Sequence, residues 1–449
     1  MDVFLMISLA TCATLIPLWL GHSYGLVRLV SPMHLLAYFC LFGFLVKVIA
    51  YAINPDLAFY RRFIDSPSAM PLGALYLTLF ILAVCVGYRL ACKTSDRGQN
   101  MAAAQAIAAG LSRRSLLSFG AFAVTLATII VILRARGFEG LDAGALAGLN
   151  SAKQINVNAD GIGATLAGIK SFFVIPKFAF ILLLAHGVVT GQRRSQLLTG
   201  VLGALLVVIA LVSGDRFELV ELIIFAVATY MIVGGQLAPR TVVLGFVSIC
   251  GMCWISAYMT SLRHGGDGQQ LVRQIVGSTY FLDINAAVMM THKVTPDSYL
   301  MGDSYTWWRF GWIPRAFWEA KPAIDLGVFF KRDVMGLDTG GAFNVTGPGE
   351  AFMNFGWAGI AVGGVLGWIY RKGEACLLSD QTTLRYGTAF LYPILFYPFI
   401  QATLQSSFSA FIVGAAAQGI LILGIIAMCL KRYRLIPISP IQKGARYAV

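Results

Sequence analysis

RHGGDGQQLVRQIVGSTYFLDINAAVMMTHKVTPDSYLMGDSYTWWRFGWIPRAFWEAKPAIDLGVFFKRDVMGLDTGGAFNVTGPG, residues 263–349, decides how the rest of the chain is read. It mixes charges of both signs with Trp307, Trp308, Trp312 and Trp318 and is punctuated by Gly and Pro, so a membrane cannot hold it as a span. On both sides lie apolar segments long enough to cross a bilayer. The stretch predicts an ordered extramembrane lobe, about 261–349, inserted between spans of one integral membrane domain, 1–449. Its charges nearly balance: Arg263, Arg273, Lys293, Arg309, Arg315, Lys321, Lys331 and Arg332 stand against Asp267, Asp283, Asp297, Asp303, Glu319, Asp325, Asp333 and Asp338. That balance is unusual for a cytoplasmic loop in a chain of formal net charge +13.

Working outward, the composition is 58% hydrophobic and 12% charged with a mean hydropathy of +0.74, too apolar for a soluble fold. The expectation is an all-α, polytopic transmembrane bundle, because the apolar runs are continuous and not alternating. About eleven spans are predicted: 3–20, 33–53, 71–91, 116–133, 165–189, 197–213, 217–234, 241–260, 350–370, 386–401 and 410–430. The first is read as a retained span, since it lacks the basic region of a cleaved signal. Basic residues cluster in alternate loops, at Lys93–Arg114, Arg193–Arg194, Arg240, Arg371–Arg385 and Lys431–Arg446. That asymmetry makes those loops cytoplasmic and turns 54–70, 134–164 and the lobe outward, with the amino terminus outside. The positive charge therefore needs no nucleic acid partner. The cysteines lie in or at the ends of apolar segments and none falls in the lobe, so no disulfide framework is indicated.

Within the lobe, Gly277–Thr291 is too short and polar to span but apolar enough to dip into the membrane face. Tyr305–Trp318 fits an interfacial helix, because indole rings favour the headgroup level. Lys47, in the second span, is expected to snorkel and is given no role.

Candidate chemistry gathers on the outer side. In SGDRFELVE, residues 213–221, Gly214 permits a turn and Asp215 with Glu218 makes a capping box. Arg216 stands at a helix start, where the dipole favours anions and disfavours a cation, so a negatively charged partner would suit it. Glu221 lies two turns further, where an intramembrane carboxylate costs about 2–4 kcal/mol unless paired or hydrated. In SLRHGGDG, residues 261–268, Arg263 and His264 emerge on the same side. Two guanidinium groups converging there suit a diphosphate, and His264 is a base or a donor. Lys177, in the fifth span, needs water, a carboxylate or an anionic ligand, and Glu221 is one candidate partner. Arg273, Arg315 and Lys321 are further lobe cations placed to bind substrate. Glu350 follows the Gly347-Pro348-Gly349 turn at a span start, either as a helix cap or as a catalytic carboxylate; Asn354, on the same face, offers an amide to a sugar hydroxyl. No HExxH, Walker loop, DxD-like pair or Ser/His/Asp set appears, so neither a metal nor a nucleotide cofactor is indicated.

At these residues the chain resembles the bacterial oligosaccharide repeat unit polymerases, the Wzy-type O-antigen or exopolysaccharide polymerases. The resemblance covers roughly 160–370. It rests on the Arg after a Ser-Gly turn (Ser213–Arg216), the second Arg past a later span (Arg263), IPRAFWEAKP at 313–322 and GPGEAFMNFGWAGI at 347–360. It implies a glycosyltransferase C-like enzyme of the inner membrane. Such an enzyme joins undecaprenyl-diphosphate-linked oligosaccharides on the periplasmic side without a metal, often beside a chain-length regulator. Arg216 and Arg263 would then steady the leaving diphosphate, with Glu221, His264 or Glu350 taking the acceptor proton. The rivals are an O-antigen ligase, a transporter of lipid-linked glycans and a non-catalytic scaffold.

Overall fold

The computed structural model describes residues 3–93, 102–135, 172–213, 216–238, 281–313, 324–337 and 343–430, with the pair 317–318 and scattered positions from 240 to 276. Every regular element among them is helical. In chain order they are α1 (Val3–Tyr24), α2 (Pro32–Ile53), α3 (Ala69–Ala91), α4 (Ala102–Gly110), α5 (Arg113–Ala135), α6 (Val174–Thr190), α7 (Arg193–Ser213) and α8 (Arg216–Ile232). Then follow α9 (Ile284–Lys293), α10 (Gly347–Phe355), α11 (Ile360–Leu378), α12 (Asp380–Tyr386), α13 (Tyr397–Gln405) and α14 (Phe408–Leu430).

Seven helices are long and apolar enough to cross a membrane: α1, α2, α3, Arg113–Ile132 of α5, Arg193–Leu211 of α7, Gly347–Leu378 across α10 and α11, and Phe411–Met428 of α14. Large apolar side chains such as Phe4, Val86, Leu90, Leu197, Ile420 and Met428 face outward, an arrangement that suits lipid and not water. α6 is a shorter apolar helix, and α8 carries Glu218 and Glu221 in its first turns. The run at 386–401 is not one regular helix. Pro393 and Pro398 each remove an intrahelical donor, and the chain passes through a 3-10 turn (Thr388–Phe390) and a π turn (Tyr392–Phe396) into α13. The predicted span at 241–260 lies almost wholly outside the described residues.

The most extensive helix contact is between α11 and α3. Gly367 and Gly87 make it possible: a Cβ on Gly367 would sit 1.9 Å from the Val84 carbonyl oxygen, and one on Gly87 would sit 1.9 Å from that of Gly364. Backbone on both sides leaves nothing to give way. Gly367→Ala is expected to pry α11 from α3 and cost about 1–3 kcal/mol, read as a lowered thermal midpoint of the purified protein.

Two buried charge clusters tie helices together, the first of them at the ends of this pair. Arg371 Nη1 pairs with Glu374 (3.2 Å) and donates to the Tyr24 carbonyl (2.8 Å), while Glu374 accepts from Leu26 N (3.0 Å) and Tyr88 Oη (2.6 Å). One ion pair thus ties the α1–α2 connection to the ends of α3 and α11. The second corrects the expectation for Lys47. Its ammonium does not snorkel but lies 2.9 Å from Asp283 Oδ1, with side chains 3% and 0% exposed. Asp283 also caps α9, accepting from Asn285 N at 2.9 Å. Lys47 therefore reaches inward to the cap of a helix that sequence had left in the lobe.

The lobe departs from expectation in form. Segment 281–293, expected to dip into the membrane face, packs among the helices. Ile284–Met290 are buried, Val288 backbone abuts Gly73 of α3, and Leu282 backbone abuts Gly43 in the middle of α2. Non-helical backbone at such a position is tolerated because protein surrounds it. The Trp-rich segment is not a continuous helix: a 3-10 turn (Asp303–Thr306) is followed by a single α turn (Trp308–Gly311). Pro314 explains the early stop, since it disfavours helical backbone at the residue before it.

Candidate functional site

Two constellations hold the described candidates. The first lies where α6 and α8 pack together. Lys177, in the first turn of α6, donates from Nζ to Glu221 Oε2 on α8. Their side chains are 23% and 17% exposed, so this pair, unlike the two above, is partly open. One turn along α8 from Glu221, Phe225 meets the ring of Tyr397 edge-on at 6.0 Å. Residues 392–396 pack on both α6 and α8, which places the start of α13 against the ion pair. α8 begins at Arg216, so the pair sits within two turns of that position.

The second constellation forms around Glu350. Thr346 caps α10 by accepting from Gly349 N, with φ +66° and ψ 160°, backbone that is essentially restricted to glycine. Holding a threonine there is a local strain, which tight surroundings must enforce. Gly347 lies so close to α13 that a Cβ would come within 1.8 Å of the Thr403 carbonyl oxygen. The turn delivers Glu350 inward at 2% exposure, where Oε1 accepts from Ser304 Oγ (2.9 Å) and Oε2 from Phe408 N (2.8 Å). Asn354 donates to Ser304 Oγ (2.7 Å) and the Glu350 carbonyl (2.8 Å) and accepts from Gly302 N (2.9 Å). Ser409 Oγ donates to the Ser304 carbonyl. Burial, with the Glu350 charge second, pushes the neighbouring Tyr305 phenol up, so it stays protonated.

This second arrangement is a brace. Both oxygens of Glu350 and the amide of Asn354 are engaged by 302–304 and 408, and Asn354 is fully buried, so its amide is committed within the fold. The sequence offered Glu350 as a cap or a catalyst and missed its partners, which lie 46 and 58 residues away. Asp215, the side chain of Arg216, and Arg263, His264, Arg273, Arg315 and Lys321 lie outside the described residues. Among the described residues, no three His, Cys, Asp or Glu side chains gather in a way that would hold a metal ion.

The chain matches no family model, no curated protein and no solved structure, so the functional reading rests on its own residues.

Proposed function

We propose that this protein is a membrane glycosyltransferase that polymerises lipid-linked oligosaccharide repeat units, with undecaprenyl diphosphate as leaving group. The observation that carries the reading is the partly open Lys177–Glu221 pair between apolar helices, close to the helix start that bears Arg216. Charged groups at such depth are costly and mark substrate paths more often than structure. An ion pair kept for stability alone would be sealed, as Lys47–Asp283 and Arg371–Glu374 are.

In the proposed reaction an acceptor hydroxyl attacks the anomeric carbon of the donor glycan. The bond from that carbon to the diphosphate oxygen breaks, and the electron pair leaves with the diphosphate. Arg216 and Arg263 donate hydrogen bonds to the departing phosphates, where preorganised cations lower the barrier most. Glu221, partly exposed between α6 and α8, receives the acceptor's proton, with His264 the alternative base. Glu350, with both oxygens engaged, holds the lobe over the site. Lys177, paired with Glu221, holds it in place. Arg273, Arg315 and Lys321 are assigned to substrate phosphates and sugars. In this reading the chain has eleven spans in the inner membrane, the lobe faces the periplasm, and a chain-length regulator is its expected protein partner.

Complementation of a deletion strain tests this directly. Arg216→Ala or Arg263→Ala is expected to reduce the glycan ladder to single repeat units on the carrier lipid, at wild-type membrane levels of protein. Full-length polymer with both variants would remove the paired-arginine site and favour a transporter or scaffold.

A further inference from the structure

Three neutral side chains near the carboxy-terminal helices carry buried polar atoms that lack a hydrogen-bond partner among the described residues. Tyr397 Oη, Gln405 Nε2 and Ser407 Oγ lie on α13 and the turn after it, and Thr229 Oγ1 lies one turn past Phe225 on α8. Tyr397, Gln405 and Ser407 are at most 5% exposed. Leaving such groups unmade is costly, and elsewhere among the described residues Asp283 Oδ2 shares the feature in a carboxylate whose other oxygen is paired with Lys47. The phenols of Tyr76, Tyr88, Tyr370 and Tyr392 are equally buried, and each finds a partner.

The three groups are spread along α13 and the turn that follows it. Tyr397 meets Phe225 at 6.0 Å and lies within electrostatic reach of Glu221. Gln405 stands about 12 Å further along the helix by its rise per residue. Ser407 is next to Phe408, whose N–H is held by Glu350. α10 packs on α13, and α14 returns against α6. Tyr397 thus stands at the open ion pair and Ser407 at the Glu350 brace, with Gln405 between them in sequence.

We propose that Tyr397, Gln405 and Ser407 line a sugar-binding subsite, in which a phenol, a carboxamide and a hydroxyl hydrogen-bond the hydroxyl groups of a bound glycan. The chemistry is that of a carbohydrate: neutral donors and acceptors, with the aromatic faces of Phe225 and Tyr397 beside them, suit a ring that is polar at its edges and apolar on its face. A phosphate would call for cations, whereas these three groups are neutral. This assignment rests on the glycosyltransferase reading and adds to it the place where the glycan lies, on the carboxy-terminal helices and apart from the arginines.

Full-length protein in nanodiscs of phosphatidylethanolamine and phosphatidylglycerol provides the test. The probes are undecaprenyl diphosphate alone and the same lipid carrying one glucose, galactose or N-acetylglucosamine, with binding followed by intrinsic tryptophan fluorescence. Wild type is expected to bind at least one glycosylated lipid tenfold or more tightly than the bare lipid. Tyr397→Phe, Gln405→Leu and Ser407→Ala should each cut that increment severalfold, leave the affinity for bare lipid unchanged, and hold or raise the thermal midpoint, because each deletes an unpaired buried group. Equal binding of bare and glycosylated lipids by wild type overturns the subsite and leaves these groups to water alone. So does an increment that survives all three substitutions. Complementation separates the two proposals. Polymer made by wild type with the increment unmoved in the variants sinks the subsite and keeps the polymerase. A substitution-sensitive increment in a protein that makes no polymer does the reverse.

Discussion

Asp283→Ala is expected to destabilise the protein by about 3–5 kcal/mol, the cost of stripping a buried ammonium of its counter-charge. Lys47 and Asp283 are 3% and 0% exposed, so water does not replace what the carboxylate supplies. The substitution also deletes the N-cap of Ile284–Lys293, worth about 1 kcal/mol, and loosens Asn285. Asn285 in turn donates to Tyr51 Oη at 2.7 Å and accepts from Tyr60 N at 3.3 Å, so the loss spreads to the connection after Pro32–Ile53. Removing both charges together, as Lys47→Met with Asp283→Leu, should cost less than either single change, because no charge is then left buried alone. Thermal unfolding of the four proteins in one detergent measures this. A single Asp283→Ala variant within 1 kcal/mol of wild type would show that the pair is not what anchors the inserted segment.

Glu221→Gln is expected to lower polymer formation by about 10²–10⁴-fold, the range for loss of a general base, while protein level in the membrane stays near wild type. Size and hydrogen-bonding shape are kept; the charge and the proton-accepting oxygen are lost. Stability should change less than for Asp283 because both side chains of the Lys177–Glu221 pair are partly exposed, at 23% and 17%. Lys177→Met should give a similar ladder of single repeat units for a different reason, since Glu221 loses the cation that holds it. Wild-type ladders from Glu221→Gln would leave the pair as an ion bridge and pass the base to His264.

Much of the fold was legible because apolar runs declare themselves locally. That the described elements are all helical, and that Val3–Tyr24 or Ala69–Ala91 is long enough to span, follows from composition within one window. Lys177 was legible for a related reason: a charge within apolar sequence needs a counterpart, and Glu221 was among the few on offer. Lys47 with Asp283 was not legible. More than 200 residues separate them, and periodicity says which face a residue occupies but not which distant face it meets. The irregularity of the run at 386–401 was not legible, because hydropathy averages over Pro393 and Pro398, whereas backbone geometry does not. Tyr397, Gln405 and Ser407 gave no signal in sequence, since a lone Tyr, Gln or Ser in an apolar run is ordinary until its neighbours are known to offer it nothing.

The Glu350 brace also sets an order on the protein's own synthesis. Its carboxylate is made 58 residues before the Phe408 amide that completes it, an interval of roughly 3–12 s at ordinary rates of translation. Until Phe408–Leu430 is made, Glu350 lacks the Phe408 N–H and the Ser304 carbonyl lacks the Ser409 hydroxyl. Phe408–Leu430 therefore completes the brace: a nascent chain stalled before it holds a Glu350 carboxylate with only one of its two oxygens engaged.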